Sequence, residues 1–342
     1  MVRIAILSPI YRSPKLADWI HGSVNEFTPM VKRGEAEFTF IANDPTEECL
    51  RHLEARSYKH IVVRNPARSD EELFQMGYGA PEYMHRVYRA YNEGIRQTGS
   101  EIVVLVNSDN YFSQDWLENM EKYLSPRVVV TSRLVEPGHP RHGVFPDAIE
   151  AAFGGSVDSF DRRGFLDFAE RVKETGLVPG GAYMPGMMYR EAAMKVGLYP
   201  EGNLAGKSFE RVRAYGDVAF FDRLRKAGIR HVTALDSVVY HLKEGEKDDQ
   251  IDSTKDAGTS KKPRAGSRVP STRRPNVVVQ RVNGQVTLGA GTFVLSLEEA
   301  GKRIRRVPLS PVELARTVLP GWAFRALRAV WRRARGRDWR TG

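Results

Sequence analysis

The sequence predicts an α/β fold: a parallel sheet covered by helices on both faces, with a small β-hairpin and a helical appendage towards the C-terminus. Three observations carry this. Short apolar runs alternate with helix-like stretches from the first residues onward. Each run stops at or near Pro, Asn, Asp or Ser, residues that end strands and open turns. The chain has 342 residues, 41% hydrophobic and 27% charged, enough to bury a sizeable core.

Taken in order, Arg3 to Ser8 (RIAILS), Phe38 to Ala42 (FTFIA), His60 to Val63 (HIVV) and Ile102 to Val106 (IVVLV) read as strands. The first run, extended to Ile10, reads as a buried strand because MVRIAILSPIYRSPK lacks the charged, apolar, small-residue order of a signal peptide. Before the fourth strand, Pro81 to Thr98 spaces Met84, Val87, Tyr88, Tyr91 and Ile95 by three and four, which predicts a helix with one buried face. Sheets of this kind bind ligands at the carboxyl ends of their strands. Ser8, Asn43-Asp44 and the polar run Asn107-Ser108-Asp109-Asn110 fall there, so the last of these is expected on the floor of a cleft.

The order of composition divides the chain into residues 1–246, a linker 247–275, a hairpin unit 276–300 and a basic tail 301–342. The linker is polar and rich in Gly, Pro, Ser and charge. Asn283-Gly284 between two β-rich runs is a hairpin signal. In the tail, Ser310-Pro311-Val312-Glu313 has the form of a capping box, and Pro320-Gly321 interrupts the helix it starts. Beyond the break, at ~100° per residue, Phe324, Leu327, Val330 and Trp331 share one face and Arg325, Arg328, Arg332 and Arg335 the other. Such a helix suits an anionic membrane surface; the plainer reading docks it on the domain with its Arg face solvated.

Charge and cysteine narrow the function class. The formal charge is +10, and residues 302–342 carry all of it, with 12 Lys/Arg against 2 Asp/Glu. A positive field confined to one terminal segment is not the pattern of a cleft that grips nucleic acid, and no nucleic-acid partner is expected. The single cysteine, Cys49, excludes an internal disulfide framework and a multi-cysteine zinc site, and no apolar stretch approaches the ~18 residues of a spanning helix. The expected location is the cytoplasm, with peripheral contact to the inner face of the membrane through the tail.

No Walker-type loop is present and no Gly-x-Gly-x-x-Gly joins a strand to a helix. A bound diphosphate therefore needs another counter-charge, and a divalent cation held by oxygen ligands is the obvious one.

The segment YMHRVYRAYNEGIRQTGSEIVVLVNSDN resembles the core of family 2 glycosyltransferases of the GT-A fold, in which an Ala-Arg-Asn-x-Gly helix precedes the strand that ends in an Asp-x-Asp metal motif. Ala90, Asn92 and Gly94 match the helix, and Asp109 follows Asn92 by 17 residues, as the family pattern has it. Tyr91 stands where the family usually has Arg, and Asn107 replaces the first Asp. A second block, YGDVAFFDRLRKAGIRHVTALDSVVYHLKEGE, is similar to the family's base-and-histidine segment: Asp217 matches the Asp, Arg223 the Arg and His241 the metal-proximal His, while Gly216 replaces the usual Glu. Residues 180–203 look like the donor and acceptor segment between them.

The resemblance implies transfer of a sugar from a nucleotide-diphosphate sugar to an acceptor hydroxyl, a glycan or a lipid-linked glycan, with inversion. It makes Asp217 the general base and Asp109 and His241 the ligands of Mn²⁺ or Mg²⁺. Pro9, Tyr11 and Asp44 fall beside the nucleotide, with Asn92, Ser108 and Asp109 completing the donor-binding set. These residue types suit the chemistry: a cation offsets charge on the departing diphosphate, and a carboxylate takes the acceptor's proton.

Plainer readings stand beside these. Asp109 would suit the cap of a helix starting near Gln114, Asp217 the cap of one over Val218 to Lys226, and a histidine after a strand is often only packed. His139 and His142 read as loop residues, and Met184, Met187, Met188 and Met194 as core filling. Three other classes compete, one of them a nucleic-acid-binding protein, which would explain the Arg-rich tail but leave Asp109, Asp217 and His241 without a purpose. A nucleotidyltransferase would need basic phosphate grips near the first strand, where only Arg12 and Lys15 offer themselves, and a catalytically inactive nucleotide-sugar- or glycan-binding module would fit the missing family acids.

Overall fold

A computed structural model describes residues 2–79, 82–138 and 144–243, the side chains of 82–86 excepted, and the backbone of three strands between 278 and 296. Contacts divide the chain into two units, Met1–Gly258 and Thr259–Gly342. The capping box and amphipathic tail, the 247–275 linker, Asn283-Gly284, His139 and His142 lie outside the described residues.

In the first unit the strands are, in chain order, β1 (Ile4–Ile10), β2 (Ala36–Asn43), β3 (His60–Val63), β4 (Ile102–Leu105), β5 (Asn110–Phe112), β6 (Val128–Glu136), β7 (Ile149–Glu150), β8 (Leu177–Pro179), β9 (Gly186–Tyr189), β10 (Leu204–Ala205), β11 (Val212–Ala214) and β12 (Arg230–His241). Eight of them run across one sheet in the order β3-β2-β1-β4-β9-β6-β12-β5, with β7 added beside β6 and β8 beside β12; β10 and β11 form a separate pair.

The sheet is mixed, which corrects the expectation of a parallel one. β1 to β4 are parallel, and β12 is parallel to β6, but β9 is antiparallel to both β4 and β6, and β5 is antiparallel to β12. The reversal at β5 has a local cause. Only residues 106–109 separate it from β4, far short of the dozen or more residues a parallel crossover requires. β9 (GMMY) has no β-branched residue and gives no strand signal; ladders on both sides hold it extended.

Both faces of the sheet are apolar. Ile4, Ile6, Phe40, Ile102 and Val104 point to one side, and Ala5, Leu7, Ile41, Val103 and Leu105 to the other, as the two-residue period demands. The first side is covered by helices Pro14–Phe27, Trp116–Glu121 and Arg162–Val172, through Ile20, Val24, Trp116, Leu117 and Phe165. The second is covered by helices Glu82–Gln97 and Gly216–Lys226, through Tyr88, Tyr91, Ile95, Phe220 and Leu224. Gly94 lets the Glu82–Gln97 helix sit close: a Cβ there would stand 2.7 Å from Ile41 Cδ1. Cys49 is buried in the first layer, as are Met187 and Met188 in the core, whereas Met194 is 41% exposed and fills nothing.

The second unit shows strands β13 (Val278–Val282), β14 (Gln285–Gly289) and β15 (Phe293–Ser296) in one antiparallel sheet. Val282 pairs with Gln285, so β13 and β14 are joined through residues 283 and 284, and β15 adds a strand to that pair.

Candidate active site

Residues 107–110 form a closed turn at the carboxyl end of β4. Asn110 Oδ1 accepts from the Asn107 amide at 2.9 Å, and the Asn110 amide donates back to the Asn107 carbonyl at 3.2 Å. The two asparagines thus build the turn and leave Ser108, half-buried, and Asp109 to face outward from it. Asp109 does not cap the next helix. That helix begins at Trp116 with Asp115 as its N-cap, and β5 intervenes.

Sheet register brings Asp109 its partner. His241, the last residue of β12, lies opposite Asn110, and the Leu242 amide donates to the Asp109 carbonyl at 3.1 Å. His241 Nε2 stands 3.4 Å from Asp109 Oδ2. On the other flank of β12, Tyr240 pairs with Val135, so Glu136 falls level with His241, and its Oε2 is 2.9 Å from His241 Nδ1. Lys243 Nζ and the Phe145 amide hold the other Glu136 oxygen at 3.1 and 2.7 Å. Burial alone would lower the His241 pKa; the carboxylates of Asp109 and Glu136 outweigh it and raise the value to about 9. Burial likewise pushes the Glu136 carboxyl up, but His241, the Phe145 amide and Lys243 hold it below the ordinary glutamate value.

This donor set fits a divalent cation in part. Asp109 offers an oxygen and His241 a nitrogen, both only 5–12% exposed and facing one another across a gap that a shared ion with bonds of ~2.1 Å spans. Glu136 on the far imidazole nitrogen is the carboxylate–histidine arrangement that orients metal-bound imidazoles. Among the described residues, no three His, Cys, Asp or Glu side chains converge on one point, so further ligands would come from water and substrate.

Asp217 lies in the first turn of the Gly216–Lys226 helix, whose N-cap is Tyr215. Its Oδ1 accepts from the Val218 amide at 2.7 Å, so it serves the helix start from within, one position after the first helical residue. Burial raises its pKa, opposed by backbone amides and by a hydrogen bond from Tyr88. The Asn203 side chain fixes the start of this helix, accepting from the Gly216 amide at 3.0 Å.

Asp44 adopts φ +46° after β2, and its two oxygens take the Asn65 amide at 3.0 Å and Asn65 Nδ2 at 2.6 Å. Pro9, half-buried, pairs with Ile41 near the end of β1, and Tyr11 follows, its carbonyl accepting from the Thr46 amide. These three lie together at the β1/β2 end of the sheet. Asn92 does something else. It is 2% exposed and clamps the Tyr199 backbone with both ends of its amide, at 2.9 and 3.0 Å, so its amide ties helix to loop. Sequence reasoning did not single out Glu136 or Asn65. Glu136 carried the same signal as Asp109, an acid directly after an apolar strand (VVVTSRLVE); Asn65 carried none beyond its place in a polar turn.

Residues 82–197, which run from the Glu82–Gln97 helix through β9, match the family model described as glycosyl transferase family 2. That segment, about a third of the chain, is similar to family 2 glycosyltransferases. Solved structures similar to the chain include GalNAc-T7 with UDP, GalNAc and Mn²⁺ (13% identity, TM-score 0.43), the mannosyltransferase PcManGT from Pyrobaculum calidifontis with GDP-Man and Mn²⁺ (18%, 0.42) and S. aureus TarS 1-349 (15%, 0.43). Each covers 70% of this chain, while the chain spans 44%, 56% and 60% of theirs. A search of curated proteins returned no match. Within the family 2 segment, two departures from the family pattern meet each other: the Tyr91 hydroxyl is 2.9 Å from Asn107 Oδ1 and 3.0 Å from the Val106 carbonyl, a neutral pair at the positions of Arg and Asp.

Proposed function

We propose that this chain moves a sugar from a nucleotide-diphosphate sugar to an acceptor hydroxyl with inversion, using a divalent cation. The observation that carries the reading is the meeting of Asp109 and His241 at 3.4 Å, from segments 132 residues apart in sequence, within the unit that contains the family 2 segment. Asp109 and His241 would hold Mn²⁺ or Mg²⁺, which when bound offsets the charge on the departing diphosphate. Glu136 keeps the imidazole of His241 oriented through Nδ1. Ser108, half-buried on the same turn, and Pro9, Tyr11 and Asp44 at the β1/β2 end would contact the nucleotide. Asp217, its pKa raised by burial, takes the acceptor's proton as general base. Nucleotidyl transfer is less well supported, since Lys15, one of its two candidate phosphate grips, is paired with Asp158.

A glycan or lipid-linked acceptor and contact of the 320–342 segment with an anionic membrane belong to the same proposal, the latter from sequence pattern alone. No helix among the described residues is long and apolar enough to cross a membrane. Deleting residues 320–342 should release the protein from anionic liposomes in co-sedimentation; unchanged binding removes the membrane role.

The test is a panel of UDP-, GDP- and dTDP-sugars assayed for metal-dependent nucleotide release, with Asp109→Ala and Asp217→Asn as controls. Asp109→Ala should weaken donor and metal binding. Asp217→Asn should spare donor binding and lose transfer. Nucleotide release that ignores both substitutions defeats the reading.

A further inference from the structure

We propose that Tyr88 is a positioning residue for Asp217, holding the carboxylate through its hydroxyl, and that glycine at 216 is the space this arrangement requires. The inference rests on the reading of Asp217 as the base. It goes beyond that reading by assigning the residue that aims the base and by explaining why this chain departs from the family pattern at 216.

Three observations converge on it. The Tyr88 hydroxyl donates to the Asp217 side chain. The Tyr88 ring cannot move aside: it is 4% exposed and stacks on Tyr199 at 5.5 Å and 11°, and Tyr199 in turn stacks on Phe220 at 3.9 Å, one turn along the helix that carries Asp217. Finally, a Cβ at position 216 would stand 2.4 Å from Tyr88 Cε2 and 2.7 Å from Cδ2, so any side chain there takes the volume that the ring fills. Glycine at 216 and tyrosine at 88 are thus one feature seen from two segments. A glutamate at 216 and this tyrosine ring do not fit together.

The surroundings explain why a single hydroxyl matters. Among the described residues, the titratable groups that act on or feel Asp217 include four phenols: Tyr88 and Tyr91 on the Glu82–Gln97 helix, Tyr183 ahead of β9 and Tyr199 after the Arg190–Lys195 helix. Among the described residues Asp217 has no ion pair, so backbone amides at the helix start and the Tyr88 hydroxyl are what offset its burial. The same helix face carries Tyr91 one turn on, and its hydroxyl reaches Asn107, in the turn that bears Asp109. One rigid helix therefore fixes a phenol on each of the two segments that the reaction needs.

The experiment compares the full-length protein with Tyr88→Phe, which keeps the ring and its stacking, and Gly216→Ala, which displaces the ring. The first readout needs no substrate: the Asp217 carboxyl is titrated by NMR on ¹³C-aspartate-labelled protein, with Asp217→Asn assigning the resonance. Loss of a hydrogen bond to the ionised form should raise the Asp217 pKa by roughly one unit in both variants. An unchanged titration overturns the proposal. The second readout is turnover with whichever nucleotide-sugar the panel identifies. Tyr88→Phe should lower kcat about tenfold near neutral pH, move the acidic limb of kcat/KM upward and leave the donor KM unchanged. A raised donor KM with unchanged kcat overturns it as well. If Tyr88→Phe shifts the titration but Asp217→Asn retains full turnover, the hydrogen bond stands and the base assignment fails, so the two readings are separable.

Discussion

Asp109 and Asp217 are the same side chain in opposite surroundings. Asp109 faces an imidazole whose other nitrogen is held by Glu136, in a chain of charges assembled by strand register. Asp217 lies at a helix start among phenols, with burial raising its pKa. A sheet edge lines up side chains from distant segments and so supplies counter-charge; a helix packed on an aromatic layer withholds it. Under the proposed function, the contrast teaches how environment alone would divide one residue type between holding charge and taking up a proton.

The largest expected effect separates the two directly. Asp217→Asn should lower transfer by about 10²–10⁴-fold, the span of a lost general base, while donor binding measured by calorimetry stays put. The same substitution should raise Tm. An acid whose folded pKa lies above its unfolded value costs stability once ionised, so the gain over the parent should grow as pH rises past the ordinary aspartate value of 3.8. Activity should follow the opposite course. The base works ionised, so kcat/KM should climb with pH through the raised pKa of Asp217; a profile flat across that range would erase the distinction drawn between the two acids.

Next in size is the second partner of His241. Glu136→Gln should weaken Mn²⁺ affinity by about 10–100-fold, read by titration followed with electron paramagnetic resonance, with Asp217-dependent proton transfer unaffected at saturating metal. The smallest effects are on the scaffold. Gly94→Ala places a methyl 2.7 Å from Ile41 Cδ1 and should cost about 1–3 kcal/mol in denaturant unfolding. Tyr91→Phe, which releases Asn107, should cost about 1 kcal/mol.

Much of this was legible in the sequence, for identifiable reasons. β1, β2 and β4 announced themselves as short apolar runs bounded by turn residues, the edge strand β3 by its β-branched residues, and the Glu82–Gln97 helix by its regular apolar spacing. β9 was not legible: GMMY has no strand chemistry of its own and becomes a strand only between two ladders. The polar run 107–110 is legible as a strand-end cluster, yet its division of labour, asparagines for the turn and Asp109 for His241, depends on contacts between residues 132 apart. Asn92 shows the converse. Its match to a family motif suggested a ligand contact, while its amide is spent on the backbone of Tyr199. The role of Glu136 was not legible because only the β6–β12 register brings it level with His241.

The place of β12 in the sheet sets the order in which the site comes into being. It enters between β6 and β5, the former completed a hundred residues earlier, and its final residue is the histidine. A growing chain that has emerged only as far as the Gly216–Lys226 helix holds Asp109 and Glu136 without the imidazole that links them. Arrival of the last long strand brings the imidazole to both carboxylates in the event that completes the sheet, so under the proposed function the site and the domain are finished in one step during synthesis.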